Sequence, residues 1–241
     1  MQSGRIQSTM TIENAPQDLA PGQFVDLKRY KTMVFDCDGV ILDSNELKTQ
    51  AYYDTAISFG ADEQQAQALV DYHVRLGGIS RFIKFEYFLR EILGQPVTDG
   101  DMQTLLDRFA SEIHRGLLSC EMAAGLHELR NATPGARWMV ISGGDQAEVR
   151  TLLAERNISE LFDAGIYGSP DNKDMILARE SATDNVVFPA IFFGDSRYDH
   201  EASSRAGLDF VFVSHWTELA DWQEYCSSRD IPVIARLENL L

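Results

Sequence analysis

The chain has 241 residues, of which 44% are hydrophobic, and it carries 37 acidic against 21 basic side chains for a formal charge of -16. That is enough apolar material for one large domain or a domain with a modest insertion, and a field of that sign repels nucleic acid and anionic membrane, so neither is expected as a partner. Cys37, Cys120 and Cys226 are odd in number, widely spaced and in no C-x-x-C pattern, which argues against a disulfide framework or a thiolate zinc site and suits a reducing cytoplasm.

Residues 1–28 are polar, with Pro16 and Pro21, and are expected to form an extended, partly disordered arm. They lack the basic start and apolar run of a secretory signal, and no later stretch reaches ~18 consecutive apolar residues, so a soluble, non-exported protein is expected. The run "TMVFD" (32–36) predicts a first buried strand. About 100 residues without a convincing strand follow. They hold apolar positions at helical spacing instead: Phe82, Phe85, Leu89 and Ile92, then Met102, Leu105, Phe109 and Ile113. A helical cap is therefore placed at 45–118, between the "LDSN" exit and the "LLSCEMAAG" return, and the aromatic cluster around Phe85 is assigned to its core. Within it, Gly77-Gly78 predicts a loop and Ser80 a new helix start. The later runs "WMVIS" (138–142), "AGIYG" (164–168), "AIFFG" (190–194) and "DFVFV" (209–213) predict further strands, with "PVIA" (232–235) as a possible sixth. Helical patterns such as "QAEVRTLLAERN" lie between them, so an α/β class with a doubly wound parallel sheet is expected, its core built from 29–44 and 119–241.

Parallel strands end along one edge, where ligands bind at the topological switch point. The polar residues at those ends should therefore converge: Asp36 and Asp38, then Ser142 with Gly143 and Gly144, then Asp195 and Asp199, with Lys173 opening the helix after "GIYGSPDN". Four carboxylates at close quarters repel by ~4 kcal/mol per pair at an effective dielectric near 20. Protonation is one escape. An all-oxygen donor set is better answered by a hard divalent cation, and Mg²⁺ suits a site that also admits waters and a phosphate. With Mg²⁺ held by Asp36, Asp38, Asp195 and Asp199, the last as ligand or as orienter of waters, Asp36 can attack phosphorus and form an aspartyl-phosphate. Asp38 can protonate the leaving oxygen and later activate water. Ser142, the N–H groups of an expected Gly143-Gly144 turn, and Lys173 would neutralise the phosphoryl oxygens.

"DCDGVILDS", "VISGGD", the lysine of "GSPDNK" and "GDSRYDHEASSRAG" stand in the order and spacing of the four motifs of the haloacid dehalogenase superfamily, which the chain resembles over about residues 30–215. The long helical insertion is similar to that superfamily's first cap class. The resemblance implies a Rossmann-like core, Asp36 as nucleophile, Asp38 as general acid/base that also gives its backbone carbonyl to Mg²⁺, and Asp195 as a metal ligand. It also implies that the Gly77-Gly78 loop faces the site, which makes Arg81 the specificity candidate, with an ordinary surface salt bridge as the alternative. His73, Arg75 and Lys84 are weaker candidates. With Arg81 they would form a cationic trap for a second anionic or hydroxyl-rich part of the substrate. Asp43 and Ser44 shape the exit toward the cap, with Ser44 also a candidate substrate contact. Cys37 is assigned to the core.

The function expected is a Mg²⁺-dependent phosphomonoesterase for a small phosphorylated metabolite, a sugar phosphate being favoured, in a monomer or small homo-oligomer. A sugar phosphomutase and a non-catalytic metabolite-binding module are the alternatives. A dehalogenase would leave Asp38 without a task, and the resembling phosphonatases lack an acid there.

Overall fold

A computed structural model describes residues 25–241. Its frame is a six-stranded, wholly parallel sheet in the order β3-β2-β1-β4-β5-β6. The strands are β1 (Thr32–Phe35), β2 (Arg137–Asp145), β3 (Ile166–Ser169), β4 (Ala190–Gly194), β5 (Asp209–Val213) and β6 (Val233–Ile234). The chain leaves β1 toward β2 and β3 on one side, then returns to build β4 to β6 on the other. The order reverses at β1 and β4, which pair directly.

Alternation along the strands divides the core between two faces. Met33 and Phe35 join one apolar cluster, while Val34 between them joins the other. The first face carries α5 (Leu126–Ala132) and α6 (Gln146–Glu155). The second carries α7 (Lys173–Ala182), α8 (Arg197–Arg205) and α9 (Trp222–Ser227). Because both faces are covered, the strands read as unbroken apolar runs. Phe35 anchors the first face, its ring 4.7 Å from Trp138 and 5.1 Å from Phe193 between centroids.

Between β1 and β2 the chain forms α1 (Asn45–Phe59), α2 (Glu63–Arg75), α3 (Arg81–Tyr87) with a π-helical continuation over Phe88–Ile92, and α4 (Asp99–Ser119). Local chemistry fixes their starts. Asp62 accepts from Gln65 N at 2.8 Å while the Gln65 side chain accepts from Asp62 N at 3.0 Å, a reciprocal box that opens α2. Ser80 accepts from Phe82 N at 3.3 Å to start α3, as its position after the glycine pair predicts. In α4, Leu105, Phe109, Ile113 and Leu117 recur every four residues and are all buried, each burial worth roughly 2 kcal/mol against exposure. Phe85, Phe88 and Leu89 are fully buried beside them.

Three expectations need correction. The second strand does not stop at Ser142. It continues through Gly143 and Gly144 to Asp145, with its register to β3 shifting between Ile141 and Asp145, so no turn forms there. Close backbone approach is what those glycines permit: a Cβ on Gly143 would lie 2.5 Å from the Gly78 carbonyl oxygen. The third strand begins at Ile166 because Gly165 takes φ +107°. The expected arm also ends too late, since Leu27–Arg29 form a 3-10 turn capped by Asp26 and Leu27 packs into the core. The rest of that arm, 1–24, lies outside the described residues.

Candidate active site

The C-terminal ends of β1 and β4 deliver Asp36 and Asp195 side by side at the reversal of strand order. Asp36 N–H continues the ladder to Phe193 O at 2.9 Å, and the next amide, Cys37 N–H, donates to Asp36 Oδ1 at 2.7 Å. Lys173, at the start of α7, sets its Nζ 2.9 Å from Asp36 Oδ2 and also bonds Asp199. Asp199 sits in the first turn of α8, where its Oδ2 accepts from Ser196 N at 3.1 Å and Ser196 Oγ at 2.6 Å. It is thus both a helix-capping residue and a partner of Lys173. Asp195 accepts from Asn45 Nδ2 at 2.8 Å. Gly39, at φ +75°, permits this packing, because a Cβ there would fall 2.1 Å from Asp195 Oδ2.

Asp38 occupies a different environment. Its Oδ1 lies 2.5 Å from Lys48 Nζ and accepts from Ser44 Oγ at 2.6 Å; its Oδ2 meets Ser142 Oγ at 3.4 Å. The Ser142 hydroxyl in turn accepts from Gly144 N at 3.0 Å. Ser44, expected as a candidate substrate contact, is fully buried outside the cavity lining, and its hydroxyl donates to Asp38.

The two neighbouring carboxyls are driven apart in proton affinity. Burial raises Asp36 to about 7, helped by Asp199 and Asp38 and opposed by Lys173. For Asp38 burial works in the same direction but is outweighed by the Lys48 ammonium and the Ser44 hydrogen bond, which hold it at about 2. Asp195 is pushed well above the carboxylate range by burial and by the charges of Asp36 and Asp199. Lys173 is raised in spite of its burial by Asp199 and Asp36.

With all four carboxyls ionised, they would face two ammonium groups, Lys48 and Lys173, and carry a surplus of two negative charges. Carboxylate oxygens of Asp36, Asp195 and Asp199 come within 4.8 Å of one another, so an oxygen-only set with a net charge of that size fits one divalent cation.

A cavity of about 250 Å³ opens over Asp36, Asp38 and Asp195, and its opposite wall comes from the insertion. Arg81 lines it, but its side chain is only 5% exposed, and its guanidinium lies 4.8 Å from the centroid of the Phe109 ring and pairs with Glu148 Oε2 of α6 at 2.8 Å. It is neither a free specificity cation nor a surface salt bridge; it ties the insertion to the α/β body. Arg75 lies exposed at the rim. Lys84 is buried beside His73, with Lys48, Asp38, Glu218 and Arg81 as the charges around it. Burial and then Lys48 push it down to about 7 from an ordinary 10.5. Between those values the unfolded chain binds the proton that the folded chain does not, so stability rises with pH across that window. Melting curves of Lys84→Met against the parent should show this slope flattened by several kcal/mol, the variant gaining most below about pH 7.

Lys48, Asn45 and Glu218 were not singled out in the sequence. The first had a readable signal: Ser44, Lys48 and Tyr52 recur every four residues from the exit of the first motif, so one helical face carries Lys48 and Tyr52 to the cavity beside the Ser44 that holds Asp38. Glu218 follows β5 in a loop with no motif of its own.

The model of the haloacid dehalogenase-like hydrolases matches residues 30–207. The chain belongs to that family. A curated relative, the phosphorylated carbohydrates phosphatase of Thermotoga maritima, is 24% identical over 201 residues, covering 76% of this chain and 84% of its own. Among solved structures, a predicted phosphatase from Clostridium acetobutylicum superposes with a TM-score of 0.67 at 17% identity, covering 88% of this chain and 96% of the other. A family IA hydrolase of the same superfamily from Entamoeba histolytica gives 0.67 at 13% identity, covering 88% and 95%. At these identities the likeness is one of fold, the parallel sheet with flanking helices described above. Among the described residues no helix is long and apolar enough to cross a membrane, and Cys37, Cys120 and Cys226 are free thiols.

Proposed function

We propose that the protein is a Mg²⁺-dependent phosphomonoesterase for a small phosphorylated metabolite of the carbohydrate class. The observation that carries this reading is geometric: Asp36 and Asp38, two residues apart, line one cavity with Asp195, while Asp199 and the Lys173 ammonium meet Asp36 at the same strand edge. The curated relative's action on phosphorylated carbohydrates supports the substrate class.

Asp36 attacks phosphorus, the P–O bond to the alcohol breaks, and an aspartyl-phosphate forms. Lys173, fixed by Asp199, orients Asp36 through Oδ2 and stands ready to balance charge on the phosphoryl oxygens. An arriving phosphate dianion raises the proton affinity of Asp38, which takes up a proton from solvent as the substrate enters and delivers it to the departing alkoxide; afterwards, as a carboxylate beside Lys48, it takes a proton from the attacking water. Ser44 and Ser142 hold it in place for both steps. Asp36, Asp195 and the Asp38 carbonyl would hold Mg²⁺, with Asp199 behind them, and the ion would supply the positive charge that lets Asp36 be ionised at neutral pH. In this account the segment 45–118 acts as a cap that shuts water out while the acyl phosphate exists, and its enclosed cavity admits a metabolite in preference to a polymer.

The test is phosphate release from p-nitrophenyl phosphate and a sugar-phosphate panel. Chelator should lower it ~10³-fold and Mg²⁺ should restore it. Chelator-insensitive turnover contradicts the mechanism. A sugar phosphate isomerised with no phosphate released identifies a mutase, and no turnover of any kind identifies a binding module.

A further inference from the structure

The insertion wall of the cavity presents a buried N–H without an acceptor, on His73, and a buried amine without a carboxylate partner, on Lys84. Lys84 Nζ lies 2.6 Å from His73 Nδ1; with Lys84 as the ammonium, that ring nitrogen accepts and the proton of the neutral imidazole resides on Nε2. His73 Nε2 is buried with no hydrogen-bond partner. The nearest carboxylate, Glu218, stands 3.8 Å away and already accepts from Thr49 Oγ1 at 2.6 Å through its other oxygen. Lys84 has no carboxylate within 4.0 Å among the described residues, whereas Lys48 and Arg81 each have one and Lys173 has two. His73 is 7% exposed and Lys84 2% exposed, and both line the cavity that holds Asp36. Tyr52 packs against both, its ring 4.3 Å from the imidazole and 5.4 Å from Nζ, so neither can turn aside easily.

A buried N–H without an acceptor and a buried ammonium without a counter-charge are each costly. Both costs vanish if the substrate brings an acceptor. From this wall we infer that the enzyme takes phosphomonoesters of small carboxylic acids, phosphorylated sugar acids or hydroxy acids, with the carboxylate received by Lys84 Nζ and His73 Nε2. Two donors on one positive charge match a monoanion with two acceptor oxygens. A second phosphate dianion would bring surplus negative charge next to Glu218, and a neutral hydroxyl would leave Lys84 without a counter-charge. The inference rests on the phosphomonoesterase reading and narrows its substrate.

Matched pairs that differ only in the distal group test it: phosphoglycerate against glycerol phosphate, and phosphogluconate against sorbitol phosphate, with the Mg²⁺-loaded full-length protein. The acid of at least one pair should be preferred by about 30-fold or more in kcat/KM, mostly through KM. In Lys84→Met and in His73→Phe that ratio should collapse toward one. Acids and alcohols turned over equally well would overturn the subsite and leave the phosphatase standing. To separate this from failure of the phosphatase itself, calorimetric binding of the same pairs to Asp36→Asn is measured without turnover. At least about tenfold tighter binding of an acid supports the inference, and equal affinities in both pairs overturn it.

Discussion

Replacing Lys173 by Met should destabilise the protein by about 3–5 kcal/mol in urea unfolding, although the two side chains are of similar length. Lys173 is 1% exposed and is the ammonium shared by Asp36 and Asp199. Taking it away leaves two buried carboxylates facing each other with no counter-charge. Because a carboxyl can answer by taking a proton, the loss should be smaller near about pH 6 than near about pH 8. The double variant Lys173→Met/Asp199→Asn should regain about 1–3 kcal/mol, since one of the uncompensated charges has then gone too. A loss below about 1 kcal/mol for the single variant would mean that the triad is not buried as a charged unit.

The largest effect on turnover is expected from Asp36→Asn. The amide keeps the shape and can still accept from Cys37 N–H, but its oxygen carries no charge with which to attack phosphorus. Phosphate release should fall by ~10⁴-fold or more, with the melting temperature equal or higher, because a buried carboxylate that raises the cost of folding has been neutralised. Asp38→Asn should behave differently. It should cost much less with p-nitrophenyl phosphate, whose leaving group departs without a proton, than with an alkyl sugar phosphate, whose alkoxide needs one. Equal losses on both substrates would remove the acid role from Asp38. A surviving Asp36→Asn activity would remove the covalent route.

What the sequence exposed and what it hid follow from the range of each interaction. Strands buried on both faces announce themselves as apolar runs, and the rule that parallel strands end on one edge carries Asp36, Asp195 and Lys173 to a common place without knowledge of any distance. Hidden were the contacts made between segments distant in sequence that share no motif. Arg81 looks like a free cation because Glu148 lies 67 positions further along, in a helix whose facing residues the sequence does not disclose. Ser44 looks like a ligand contact because a small hydroxyl after an aspartate gives no hint of its direction, and in the fold that direction is Asp38. Gly143-Gly144 has the composition of a turn; only the passage of the Gly78 carbonyl beside it shows that the glycines make room for another stretch of backbone. Lys84 and His73, eleven residues apart, come within hydrogen-bond distance only because α2 and α3 fold back on each other around Tyr52.

Arg81 hangs from the insertion and Glu148 from the α/β body, so anything that swings the two apart must first part a guanidinium from a carboxylate. Phe109, in the same insertion, lies under the guanidinium and holds it toward Glu148. Dissolved electrolyte weakens such a clasp, the more so because Glu148 is 42% exposed. Raising the ionic strength should therefore loosen the tie between insertion and body, and added salt becomes a handle on how firmly the two halves of the cavity wall are joined.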